Sequence, residues 1–180
     1  YYAADMGADI INLSWGFDLD SLDATGQAEV AIIRDAINHA VSQGVIVVAS
    51  AGNDGADQVA FPARHGNALA ITAADDGERV PDWASVGTEV SFVAPGVELI
   101  GAFPTDLNSY GTARWSGTSF SAPLTAGALA ALYATDPWDI ATHIVDALES
   151  SALDITPMNP GLGGKLGSGR IRPAMAFDEL

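Results

Sequence analysis

Val45-Ile46-Val47-Val48-Ala49 is an unbroken apolar run, rich in β-branched residues, with Gly44 immediately before it. A strand with one wet face alternates apolar and polar side chains, so a run without alternation marks a strand covered on both faces. Upstream of it, residues 24–43 carry Val30, Ile33, Ile37 and Val41 at helical spacing, and Gly44 ends that helix. Before the helix, Ala8-Asp9-Ile10-Ile11-Asn12-Leu13-Ser14 reads as another buried strand, followed by a turn at Trp15-Gly16. Strand, crossover helix and strand make a βαβ unit, with parallel strands and a right-handed connection. Tyr1 to Gly7 reads as the end of a preceding helix, capped by Gly7.

The same reading extends downstream. Residues 68–73 and 90–94 supply two further buried strands, joined by the polar connection 75–88. Leu99 to Ala102 and the segment around Arg114-Trp115 read as short outer strands. Helices are expected from about Thr118 to Tyr133 and from Pro137 to about Leu148, and residues 161–180 read as a Gly-rich hairpin with a short terminal helix. The expectation is one α/β domain over residues 1–180, a mostly parallel sheet flanked by helices.

Composition narrows the function. With 48% hydrophobic and 17% charged residues, the chain is not disordered. No apolar run approaches the ~18–20 residues of a membrane span. A net charge of −16 repels nucleic acid and anionic lipid, which excludes both as partners. Clustered carboxylates suit hard cations, but no EF-hand-like loop is present; no cofactor is expected, and a structural calcium has no assignable site. The absence of cysteine removes disulfides, thiol nucleophiles and thiolate metal sites together.

Three loops follow strand ends or open a helix: Ser14-Trp15-Gly16, Ala51-Gly52-Asn53 and Gly117-Thr118-Ser119. In open α/β sheets, sites form where such loops converge. Ser119 stands at a helix N-terminus, where unpaired N–H groups favour the negative charge that an attacked carbonyl develops. The Asn53 amide could donate into the same space, and two such donors make an oxyanion hole. Read alone, Thr118 and Ser119 fit an ordinary helix cap, and Asn53-Asp54-Gly55 an ordinary turn.

Gly117-Thr118-Ser119-Phe120-Ser121-Ala122-Pro123, followed by Ala126-Gly127, resembles the nucleophile motif of the subtilisin-like serine peptidases. Residues 47–55 resemble their oxyanion segment, and residues 9–16 the strand and edge that bind substrate backbone. Phe61-Pro62-Ala63, residues 92–96 and residues 167–171 match in the same order. The resemblance implies a three-layer subtilisin-like fold, in which these residues are the C-terminal portion of the catalytic domain and the N-terminal strands are missing. It implies Ser119 as nucleophile and Asn53 as oxyanion donor. Ser14, Trp15 and Gly16 would form one wall of the specificity pocket, Ala51 and Gly52 the other, and Ala60 its base, with Thr118 also at the substrate site. Phe61-Pro62 would be a cis-proline turn. Some members hold a weak cation near the residues matching Ala63 and His65; no metal is assigned on that ground. Phe120 replaces a common Met and narrows the leaving-group side, and Leu124 replaces a common His as neutral packing.

A serine needs a base beside it. The family's Asp-Thr/Ser-Gly and His-Gly-Thr motifs occur nowhere in the 180 residues. Asp23-Ala24-Thr25-Gly26 looks like the first, but lies on the wrong side of the first strand. His39, His65 and His143 lack the second's context. The catalytic Asp and His are therefore expected upstream of Tyr1. The expected function is a serine endopeptidase acting on peptide or protein substrates through an acyl-enzyme on Ser119, with this fragment inactive alone. The alternative is a non-catalytic pseudopeptidase, a peptide-binding module that keeps the groove. The uncovered strand edge is expected to bind the upstream segment or to self-associate. Ala60 and Trp15 suggest a small apolar side chain in the pocket, with Asp54 tolerating a basic one, and the family suggests a secreted protein.

Overall fold

A computed structural model of the chain describes residues 1–106, 109–135 and 140–180. A short helix, α1 (Tyr2–Asp5), turns at Gly7 into β1 (Ile10–Leu13). Asp23 caps α2 (Ala24–Ser42), its carboxylate accepting the Gly26 N–H at 2.9 Å. That bond satisfies a donor the helix cannot pair itself, and it gives the Asp23-Ala24-Thr25-Gly26 stretch a local role. Next come β2 (Ile46–Ser50), β3 (Leu69–Ala74) and β4 (Val90–Pro95), then β5 (Leu99–Asp106) and β6 (Ser109–Trp115). The chain ends with α3 (Thr118–Tyr133), α4 (Ala141–Ser150) and α5 (Pro173–Ala176).

The main sheet runs β1-β2-β3-β4, every pair parallel. All of β2 is buried, as its uninterrupted apolar sequence requires. Its side chains alternate between two cores. Val47 and Ala49 meet Val30, Ile37 and Ala40 of α2. Ile46 and Val48 meet Leu129 and Leu132 of α3 and Ile144 and Leu148 of α4. Helices thus cover both faces, and three layers result.

Two apolar surfaces stay open. Beyond β1 no further strand is paired among the described residues, and Ile10, Ile11 and Leu13 are only half-buried. A hollow beside that edge is lined by Ile11, Leu13, Trp15, Ile32 and Ile33. Helix α3 is apolar around its whole circumference, which suits a helix enclosed on every side, yet Leu124, Gly127, Ala130 and Ala131 are exposed.

Three expectations need correction or limits. The outer strands are not short pieces but a long antiparallel hairpin separate from the main sheet, with Phe103 packed on Trp115 across it. The Gly-rich tail forms no hairpin of its own. Beyond local turns its bridges run elsewhere, from Arg170 to Val93 of β4 and to Leu153. Helix α4 begins at Ala141, and the part expected from Pro137 falls within residues 136–139, outside the described residues.

Leu129 is fully buried in the α3 core. Leu129→Ala is expected to lower stability by about 2–5 kcal/mol, read as a reduced urea midpoint; an unchanged midpoint would contradict this packing.

Candidate active site

Parallel strands all point their carboxyl ends one way, so the loops after β1 and β2 emerge together, beside the start of α3. Ser119 lies in the first turn of α3, half-buried, and its Oγ donates to the Ser14 carbonyl at 3.1 Å. Its backbone N–H has no partner among the described residues, as is usual in a first helical turn. The Asn53 Oδ1 accepts twice from Thr118, from its N–H at 2.9 Å and its hydroxyl at 3.0 Å. With the oxygen so held, the amide nitrogen is turned the other way. It lies 3.7 Å from where a Cβ on Gly117 would stand. Two N–H donors are therefore available at the N-terminus of α3.

Thr118 was expected to touch substrate. It is fully buried, and its hydroxyl faces Asn53 and Gly52. That oxygen accepts the Gly52 N–H at 3.2 Å and also lies 3.3 Å from the Gly52 carbonyl. A hydroxyl has one proton to give, and the shorter contact is to Asn53. Thr118 thus stands behind the amide donor and fixes its direction.

The expected pocket walls converge through backbone pairing. Phe17 and Phe61 exchange N–H···O bonds of 2.9 and 3.0 Å, and the Ala60 N–H donates to the Ala51 carbonyl at 2.8 Å. A Cβ on Gly16 would lie 3.2 Å from the Ala60 Cβ and 2.9 Å from the Phe61 carbonyl oxygen. One on Gly52 would lie 3.4 Å from the Ala60 Cβ. The Ala60 methyl therefore sits close to both glycines. Trp15 is exposed and stacks on Phe17 with ring centroids 6.2 Å apart. Asp54 is exposed on the same loop as Asn53. The Phe61–Pro62 peptide is cis.

Past Ser119, the Phe120 ring stacks on Trp115 at 5.9 Å, and Trp115 packs against Phe103 at 5.5 Å. An apolar groove opens there, lined by Ile100, Phe103, Trp115, Phe120 and Leu124. Leu124, expected as a neutral packing change, is exposed on that groove.

The histidines are engaged away from this cluster. His39 pairs with Asp5 at 2.6 Å and packs on the Tyr1 ring. His65 accepts the Asn67 N–H at its Nδ1. Burial, then the neighbouring Arg34 charge, lowers its pKa and favours the neutral ring. His143 lies on α4.

Two residues of the cluster went unread in the sequence. Thr72, fully buried in β3, donates to the Ser85 carbonyl at 2.7 Å, and the Ser85 N–H donates to the Gly52 carbonyl at 3.0 Å. The available signal was a single hydroxyl inside Leu69-Ala70-Ile71-Thr72-Ala73-Ala74.

The model of the subtilase family matches residues 1–169. A thermophilic serine proteinase of Bacillus sp. (strain AK1) is 38% identical over 134 residues, covering 74% of this chain and 30% of that protein. The alkaline elastase YaB of Bacillus sp. (strain YaB) is 32% identical over 175 residues, covering 97% of this chain and 42% of that one. Subtilisin DY of Bacillus licheniformis is matched over 53% of its length; the chain spans about half or less of these relatives. Among solved structures, the prenylagaramide maturation protease PagA is similar with a TM-score of 0.82 and 29% identity, over 99% of this chain and 64% of that one. A lanthipeptide protease, at 24% identity and TM-score 0.85, covers 98% of this chain and 63% of its own and bears on the fold alone.

Gly52 has φ +115°, and a Cβ there would meet the Ser85 Oγ at 3.0 Å. Gly127 is helical with nothing within 4 Å of such a Cβ. Gly52→Ala is expected to destabilise by about 1–3 kcal/mol, whereas Gly127→Ala is neutral or stabilises by about 0.5–1 kcal/mol. Equal urea midpoints for the two variants would contradict the strained turn.

Proposed function

The chain belongs to the subtilase family, and from that premise we propose that Ser119 is the nucleophile of a serine endopeptidase whose acid and base lie upstream of these residues. The observation that carries this reading is an Asn53 amide whose oxygen is already held by Thr118, next in the chain to a Ser119 whose N–H has no partner among the described residues. Two donors fixed in advance suit the charge that appears only as a carbonyl becomes tetrahedral.

In the proposed reaction, the Ser119 Oγ adds to the scissile carbonyl and its proton passes to the upstream base. Asn53 and the Ser119 N–H hold the oxyanion. Collapse expels the amine, which takes the proton from that base, and water then hydrolyses the acyl-enzyme by the same steps. Subtilisin is itself the standing example of the amide donor, where its loss costs about 10²–10³ in rate. In the chain as it stands, the Ser119 hydroxyl is bound to the Ser14 carbonyl. A carbonyl oxygen can hold that hydroxyl but cannot take its proton.

The open edge of β1 and the exposed apolar side of α3 support an upstream segment as their cover. The Ala60 methyl close to Gly16 and Gly52 favours a small apolar side chain in the specificity pocket, and the groove beside Phe120 and Trp115 favours an apolar leaving-group side. Secretion is supported by a relative named minor extracellular protease Epr of Bacillus subtilis (strain 168), 32% identical over 148 residues.

The longer protein is expected to hydrolyse an apolar peptide substrate, Ser119→Ala to abolish that hydrolysis, and the 180-residue chain to show none. Full activity in Ser119→Ala, or in the chain alone, would overturn the reading. Sedimentation of the chain alone is expected to reveal self-association through β1; a monodisperse monomer that unfolds cooperatively would count against the open edge.

A further inference from the structure

Thr72 is the one polar side chain in β3, and it is fully buried. Packing alone does not call for it, since valine has the same shape without a hydroxyl. Its Oγ1 donates to the Ser85 carbonyl at 2.7 Å, a bond that is itself buried. Ser85 belongs to the connection between β3 and β4, outside every strand, so its carbonyl has no sheet partner. A buried carbonyl left unpaired costs about 1–3 kcal/mol, and the Thr72 hydroxyl meets that need.

Ser85 in turn lies against Gly52. Its N–H donates to the Gly52 carbonyl at 3.0 Å, and its Oγ stands 3.0 Å from where a Gly52 Cβ would be. Gly52 immediately precedes Asn53 and has a backbone conformation that glycine adopts with no strong preference over others. Its direction is therefore set from outside, by Ser85 on its carbonyl and by Thr118 on its N–H at 3.2 Å. Thr118 also holds the Asn53 oxygen. The route from Thr72 to the amide donor is continuous: Thr72, Ser85, Gly52, Asn53.

We propose that Thr72 is a positioning residue for the Asn53 oxyanion donor, acting through the clamp that Ser85 places on Gly52. The inference rests on the reading of Asn53 as that donor. A donor used only in the transition state affects kcat and leaves KM alone. A displaced donor loses part of its effect, and the loss disappears when the donor itself is gone.

The test uses the longer protein, with peptide hydrolysis measured for Thr72→Val, Asn53→Ala and the double variant. Thr72→Val is expected to lower kcat about tenfold, less than removal of the donor, with KM unchanged. In the Asn53→Ala background the same substitution is expected to leave kcat where it is, although stability falls in both backgrounds. Thr72→Ser, which keeps the hydroxyl, is expected to restore most of the loss. If Thr72→Val does not fold, Thr72→Ala, which also removes the hydroxyl that holds the Ser85 carbonyl, is read through the same cycle. Additive losses of kcat in the double variant, or a loss of stability with kcat unchanged, would overturn the inference and leave Thr72 a structural residue. Full hydrolysis in Ser119→Ala would instead overturn the reading beneath it, and the inference with it.

Discussion

The Asn53 amide oxygen accepts both the N–H and the hydroxyl of Thr118, and these two bonds join the exit of β2 to the entrance of α3. Both ends depend on burial elsewhere. Strand β2 is enclosed on both faces, so its exit is fixed by two cores at once. Helix α3 lies against all four parallel strands, so its first turn is set by the whole sheet. The pair of bonds turns that rigidity into a chemical direction: with the amide oxygen occupied, only the nitrogen remains to face a ligand.

The same arrangement explains what is incomplete. In the proposed reading, the nucleophile Ser119, its two donors and the Ala60 methyl come from or near the loops after β1 and β2 and the start of α3. The only partner of the Ser119 hydroxyl among the described residues is a carbonyl. The nearby surfaces left uncovered, the β1 edge and the outward side of α3, are apolar. In the proposed reading, one upstream segment would supply both the cover and the base.

Much of this was legible in the sequence because its causes are local or repeated. The run Val45–Ala49 announces a doubly covered strand, and Val30 and Ile37 at helical spacing announce the helix packed on it. Ser119 and Asn53 stand out only through motifs, since each alone fits a helix cap or a turn. The Gly-rich tail was misread because its partners, Val93 and Leu153, lie outside it. For Thr118 the motif gives a place in the fold and not the direction of its hydroxyl, which faces Asn53 and Gly52. Thr72 and Ser85 were passed over for a related reason. A side-chain bond to a carbonyl 13 residues away follows neither a helical nor a strand period and leaves no pattern to count.

The central claim is that these residues hold the nucleophile and its oxyanion donors while the base comes from outside. It is tested most directly by a fluorophosphonate probe, with the labelled residue mapped by peptide mass spectrometry in the longer protein and in the 180-residue chain. The account predicts label on Ser119 in the longer protein and none in the chain alone. Label on another residue, or equally rapid labelling of Ser119 in the isolated chain, would contradict it.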